Sequence, residues 1–257
     1  MNIQDEHIFK IKQIYPQSID ISRPVIKGLA HDLYIVNTEQ NKKFVCRFSQ
    51  QTIAEHNLYI SHLLNSNGIK VPEISLYKFD QEYCEIYPFI NGKTLYQRLS
   101  EGISNKKIYS IYNQLFEISY KISQIPYNFN QNIKVPLTAK IAIMFCKLLN
   151  SGKIALCHTD LNSKNIILDD QDNIRALLDL DSVYPESLAF AFINALREAH
   201  HYGYDIRTLE TCYNKTYVNS RIFGVNFQAK LYSMLKTFGE MLFSERMLKQ
   251  ILKIKVK

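Results

Sequence analysis

The stretch that decides the reading runs Cys157-His158-Thr159-Asp160-Leu161-Asn162-Ser163-Lys164-Asn165, then Ile166-Ile167-Leu168. A polar turn, Asp169-Asp170-Gln171-Asp172-Asn173, leads through Ile174 to Ala176-Leu177-Leu178-Asp179-Leu180-Asp181. Two short apolar runs around a polar turn predict a strand–turn–strand unit, over Ile166–Leu168 and residues 174–178. Asp160 precedes Asn165 by five residues, and the hairpin delivers Asp179 to the same end. Three oxygen-bearing side chains then converge. Hard oxygen donors suit Mg2+, which is held by one or two protein groups plus substrate phosphates. A carboxylate near the metal but not bound to it orients a hydroxyl nucleophile. Taken alone, the same residues also describe a polar hairpin loop closed by Asx turns, so the upstream sequence has to decide.

Residues 1–89 are rich in strand-like runs, at 33–38, 43–47, 74–78 and 84–89, built on β-branched and aromatic residues. Between them lies a helical pattern with Ser49 as N-cap and Ile53, Ile60, Leu63 and Leu64 on one face. Gly68 supplies a stop, and Val71-Pro72 returns the chain to extended structure. After Asn91-Gly92 the spacing turns helical, as in Ile108, Ile111, Tyr112 and Leu115. It is helical again from Ser187 to the end. The change of texture predicts a small sheet-plus-helix lobe, residues 1–89, and a larger, mostly helical lobe, residues 90–257. The fold class expected is α+β, and a cleft between such lobes is a natural ligand site.

The loop pattern D-x-x-x-x-N with a metal Asp beyond it serves phosphoryl transfer. Over about residues 25–196 the chain resembles the aminoglycoside phosphotransferase/choline kinase superfamily. His158-Thr159-Asp160 through Asn165 matches the family's H-x-D-x-x-x-x-N loop. Leu178-Asp179-Leu180-Asp181, with Leu and a second acid in place of Phe-Gly, resembles the small-molecule branch. The segment from Lys27-Gly28-Leu29 to Val36 resembles the first hairpin, whose turn covers the phosphates. In Phe44-Val45-Cys46-Arg47-Phe48 the basic residue sits where protein kinases carry the phosphate-pairing Lys. The run from Glu85 to Leu95, with its G-x-T-L, resembles the interlobe hinge.

The resemblance implies a bilobal, protein-kinase-like fold with ATP and Mg2+ as cofactors. It implies Asp160 as catalytic base, Asn165 and Asp179 as Mg2+ ligands, His158 as a brace of the loop and Asp181 as a supporting acid. Gly28 would cover the phosphates, with thinner backbone cradling than a three-glycine loop gives. Arg47 would hold α- and β-phosphate oxygens with a fork of donors, and Glu55 would be its ion-pair partner. The Pro88 carbonyl would meet the adenine amino group and the Ile90 N–H a ring nitrogen. Proline, which lacks an N–H, is tolerated at the first place and not the second.

Composition narrows the alternatives. The chain has 257 residues and 30.1 kDa, with 46% hydrophobic and 21% charged residues, ordinary globular usage. No apolar run reaches the roughly 18 residues of a membrane-crossing helix, and the start, MNIQDEHIFKIKQ, carries no secretory pattern. Five scattered cysteines without a C-x-x-C suggest reduced thiols and a cytoplasmic setting rather than disulfides or a zinc ribbon. The formal charge is +7, but the basic residues are dispersed, so nucleic acid is not the expected partner. The oligomeric state is left open.

The expected partner is a small molecule offering a hydroxyl. From residue 187 to 257 there are 5 acidic and 11 basic residues, which disfavours a polycationic aminoglycoside. Choline or an amino alcohol would need an aromatic cage; Trp is absent, though Tyr202, Tyr204 and Tyr213 are available. Leu178 to Val183 with Asn194-Ala195-Leu196-Arg197 resembles the hexosamine-kinase branch, which favours a sugar or amino sugar. The acid expected shortly before that segment is replaced by apolar residues around Ala189 and Phe192. The basic amphipathic end, Met247 to Lys257, reads as a terminal helix. The alternative to an enzyme is a non-catalytic, pseudokinase-like binding module.

Overall fold

The computed structural model describes residues 3–24, 32–80, 82–127 and 154–187. Along them the chain forms α1 (Ile3–Ile14), β1 (Ser18–Ser22), β2 (Asp32–Thr38), β3 (Lys43–Ser49), α2 (Gln51–Ser66), β4 (Ser75–Phe79) and β5 (Glu82–Pro88). There follow β6 (Lys93–Thr94), α3 (Leu95–Ser100), α4 (Asn105–Gln124), β7 (Ile154–His158), β8 (Ile166–Leu168), β9 (Ile174–Leu177) and β10 (Val183–Ser187). Short 3-10 turns occupy Ser163–Asn165 and Leu180–Ser182. The expected α+β class is what forms. Gly28 and everything from residue 188 onward, with the tyrosines and the basic terminus, lie outside the described residues. The chain divides into two compact units, Met1–Ile103 with Asn128–Lys134 and Lys164–Asp181, and Ser104–Tyr127 with Val135–Ser163 and Ser182–Lys257.

In the first unit five antiparallel strands lie in the order β1-β2-β3-β5-β4. Strand alternation sorts their side chains to two faces. Tyr34, Val36, Cys46, Phe48, Cys84 and Ile86 form one apolar cluster, closed by Ile11 of α1. The His7 ring of α1 stacks on Phe48 with centroids 3.9 Å apart. This helix was not anticipated from the sequence; it buries His7 and Ile11, with Ile8 and Ile14 half-buried against the same cluster. Alternation sends Val45, Arg47, Ser49 and Glu85 to the opposite face.

Ser49 is not the N-cap expected for α2. It ends β3, and its hydroxyl donates to Glu85 Oε1 at 2.6 Å. Gln50 occupies the cap without a side-chain bond. The expected Ile60 and Leu64 are fully buried, and His56, Asn57 and Ser61 are buried beside them. Ser61 donates to the Pro72 carbonyl (2.6 Å) and accepts from the Ile74 N–H (3.2 Å), fixing the segment after the helix. Gly68, at φ 73°, stops α2 as expected.

Beyond β5 the run Gly92-Lys93-Thr94-Leu95 resolves into three local jobs. Thr94 caps α3 in a reciprocal box with Gln97. Leu95 is fully buried. Gly92 has φ 146°, and a Cβ there would lie 2.3 Å from the Leu168 carbonyl oxygen. That approach lets β6 pair with β8, which pairs in turn with β9. The hairpin expected from sequence is therefore present and is extended by a third strand. In the second unit Ile108, Ile111, Tyr112 and Leu115 are buried on α4 as their spacing predicts, and α4 packs on β7. β7 pairs antiparallel with β10. Among the described residues no helix is long and apolar enough to cross a membrane.

Gly92→Ala must displace backbone, since the carbonyl it meets belongs to a paired strand. The expected loss is on the order of 2–3 kcal/mol, read as a lower urea midpoint with unchanged slope.

Candidate active site

The loop after β7 is braced from within the second unit. His158 is almost fully buried, and its Nδ1 accepts the Asp160 N–H at 3.3 Å. A neutral ring in this arrangement carries its proton on Nε2. The Thr159 N–H and hydroxyl both donate to the Ser182 carbonyl, at 2.8 and 2.9 Å. The half-buried Asp160 accepts from Asn162 Nδ2 at 2.9 Å. Its carboxylate is thus oriented by the second residue after it.

In the first unit the Asn165 carbonyl accepts the Leu178 N–H at 2.8 Å. This bond ties the 3-10 turn before β8 to the residue preceding Asp179, so Asn165 and Asp179 are brought together through the backbone. Asp179 stands at φ 64°, in the left-handed region, where Asp is among the few residues tolerated. Asp169 closes the hairpin, accepting the backbone N–H groups of Gln171 (3.0 Å) and Asn173 (2.8 Å). Those bonds, the one from Asn173 above all, hold its carboxyl below the usual range. The Asn165 side-chain oxygen and the Asp179 carboxylate are hard donors of the kind Mg2+ takes.

Arg47 is 6% exposed and its cross-strand partner Glu85 only 1%. The expected pair with Glu55 does not form. Glu55 is exposed and accepts from Gln51 at 2.8 Å. Instead Arg47 donates from Nη1 to Asp181 Oδ1 (2.8 Å) and from Nη2 to Oδ2 (2.5 Å). Its Nε lies 3.9 Å from Glu85 Oε1. Glu85 also accepts from Ser49 and from Asn57 Nδ2 (2.9 Å). Burial pulls the Arg47 pKa down, but the Asp181 bonds and the charges of Glu85 and Asp181 outweigh it and hold the guanidinium above its ordinary value. Glu85 and Asn57 were missed in the sequence. The available signal was a carboxylate between the apolar Cys84 and Ile86 in the middle of a strand.

At the end of β5 the Phe89 N–H donates to the Lys43 carbonyl at 2.9 Å. Strand alternation turns the preceding Pro88 carbonyl away from β3. Among the described residues neither that carbonyl nor the Ile90 N–H has a partner.

Neither a protein-family model nor a curated protein matches the sequence. Solved structures do. The GDP complex of aminoglycoside 2'-phosphotransferase-IIIa aligns with TM-score 0.66 and 13% identity, over 98% of this chain and 97% of that one. Amicoumacin kinase in complex with AMP-PNP, Ca2+ and Ami aligns with TM-score 0.59 and 10% identity, over 97% and 91%. An ethanolamine kinase of Plasmodium vivax gives TM-score 0.54 and 17% identity, over 90% and 88%. The chain therefore has the protein-kinase-like fold that these phosphotransferases share.

Glu85→Ala removes a counter-ion buried with Arg47 and strands the Ser49 and Asn57 donors. It is expected to cost about 3 kcal/mol in urea unfolding. Glu55→Ala, in contrast, should leave the unfolding midpoint unchanged.

Proposed function

We propose that this protein is a Mg2+-dependent kinase that transfers the ATP γ-phosphoryl group to a hydroxyl of a small molecule. The observation that supports the reading is the bond from the Leu178 N–H to the Asn165 carbonyl, which ties the backbone of Asn165 to the residue before Asp179. Asn165 and Asp179 would hold Mg2+. When bound there, the metal supplies charge neutralisation to the transferring phosphoryl group. Asp160 accepts or orients the acceptor hydroxyl, with His158 and Asn162 fixing its backbone and carboxylate. Arg47 neutralises nucleotide phosphates. Pro88 and Ile90 offer the acceptor–donor pair for adenine, and Gly28 covers the phosphates. In this assignment residues 1–89 grip the nucleotide and residues 90–257 carry the catalytic loop and the acceptor site.

The acceptor proposed first is a sugar or amino sugar, on the likeness of the sequence from Leu178 to Val183. The likeness of the fold to an aminoglycoside phosphotransferase and an ethanolamine kinase keeps aminoglycosides and amino alcohols in the same test. A coupled ADP-release screen over hexosamines, aminoglycosides, choline, ethanolamine and amino acids identifies the acceptor. ADP release with none of them, together with no nucleotide-dependent thermal shift, overturns the kinase reading in favour of a binding module.

Asp160→Asn is expected to cut turnover by orders of magnitude with Mg·ATP affinity nearly unchanged. Loss of nucleotide binding in that variant would exchange its role with that of Asp179. Asp179→Ala should abolish the Mg2+-dependent part of the ATP thermal shift. Survival of that part would move the metal site elsewhere.

A further inference from the structure

Arg47 presents five N–H donors in one plane, and both terminal nitrogens are committed to Asp181. Asp181 belongs to the 3-10 turn Leu180–Ser182, immediately after Asp179. The start of that turn is also pinned from α2. His56 donates from Nε2 to the Leu180 carbonyl at 3.2 Å, and Asn57 Nδ2 reaches Asp181 Oδ1 at 3.5 Å. Leu180 itself is buried. Asp179 is left at φ 64°, a left-handed conformation that Asp tolerates better than most L-residues.

A forked arginine–carboxylate pair fixes the plane of the guanidinium as well as its distance. The geometry points to Asp181 as a positioning residue. It holds the Arg47 guanidinium and the Asp179 turn in one register, so that the grip on nucleotide phosphates and the placement of the metal-binding carboxylate are not set independently. This rests on the nucleotide and Mg2+ assignment proposed for the same residues. Asp181 could instead occupy the guanidinium as a competitor that phosphate displaces. The added hold from Asn57 and the pinned Leu180 favour a fixed orienting carboxylate, and the two roles predict opposite signs.

The test is a double-mutant cycle on the full chain, reading the ATP and Mg2+ concentrations that half-saturate the thermal shift. Arg47→Ala and Asp181→Ala should each raise both concentrations, by about tenfold. The double variant should be little worse than Arg47→Ala alone. Asp181→Asn, which keeps one acceptor oxygen for the fork, should fall between, and it carries the comparison if Asp181→Ala does not fold. A lower ligand-free unfolding temperature with unmoved Mg2+ half-saturation would reduce Asp181 to a structural contact and overturn the proposal. Tighter ATP binding in Asp181→Ala overturns it in favour of the competitor. Additive effects in a wild-type protein that responds to Mg·ATP overturn the coupling alone. A wild-type protein with no such response removes the nucleotide reading and the coupling together.

Discussion

A guanidinium that is 6% exposed has to be neutralised where it stands, because burying an unpaired charge costs several kcal/mol. Arg47 meets this with two carboxylates from different parts of the first unit, Glu85 across the strand pair and Asp181 from the end of the hairpin. The consequences spread outward. Glu85 needs further donors and takes them from Ser49 and Asn57, which accounts for the burial of Asn57 on α2. The pairing of Arg47 with Glu85 also locks the β3–β5 register. A slip of one residue would turn the guanidinium onto the apolar face shared by Cys46 and Phe48.

What the sequence showed and what it hid divide along the range of the interactions. The hairpin from Ile166, the buried stripe of α4 and the stop at Gly68 rest on contacts a few residues apart, and periodicity and turn chemistry expose them. The partners of Arg47 lie up to 134 positions away, where no local pattern reports them. Glu55 was the wrong acid for a simple helical reason. At about 100° per residue, it lies roughly 200° around α2 from Asn57, the residue that faces Glu85. Ser49 illustrates the competition directly. Its hydroxyl suits a helix cap, but a buried carboxylate on the neighbouring strand claimed it first. The helix α1 was missed because only Ile11 of its apolar row is fully buried, Ile8 and Ile14 being half-buried, and because its other buried residue, His7, is polar.

The division of the chain adds a constraint on how the proposed chemistry is shared. Arg47, Pro88, Ile90, Asn165, Asp179 and Asp181 all fall within one compact unit, although they span residues 47 to 181 in the sequence. His158 and Asp160 belong to the other. Gly92 is what permits the first grouping, since its missing Cβ lets β6 reach the Leu168 carbonyl and join the hairpin to the segment after β5. Within that unit Arg47 and Asp181 share a forked bond and Asn165 is tied to Leu178, so a substitution at one of these disturbs its partner. The group assigned to the acceptor hydroxyl has its own brace, the His158 ring and the Asn162 amide. That separation is the physical reason to expect nucleotide binding and hydroxyl activation to fail independently, with Asp181 among the residues that couple within the first set and Asn162 confined to the second.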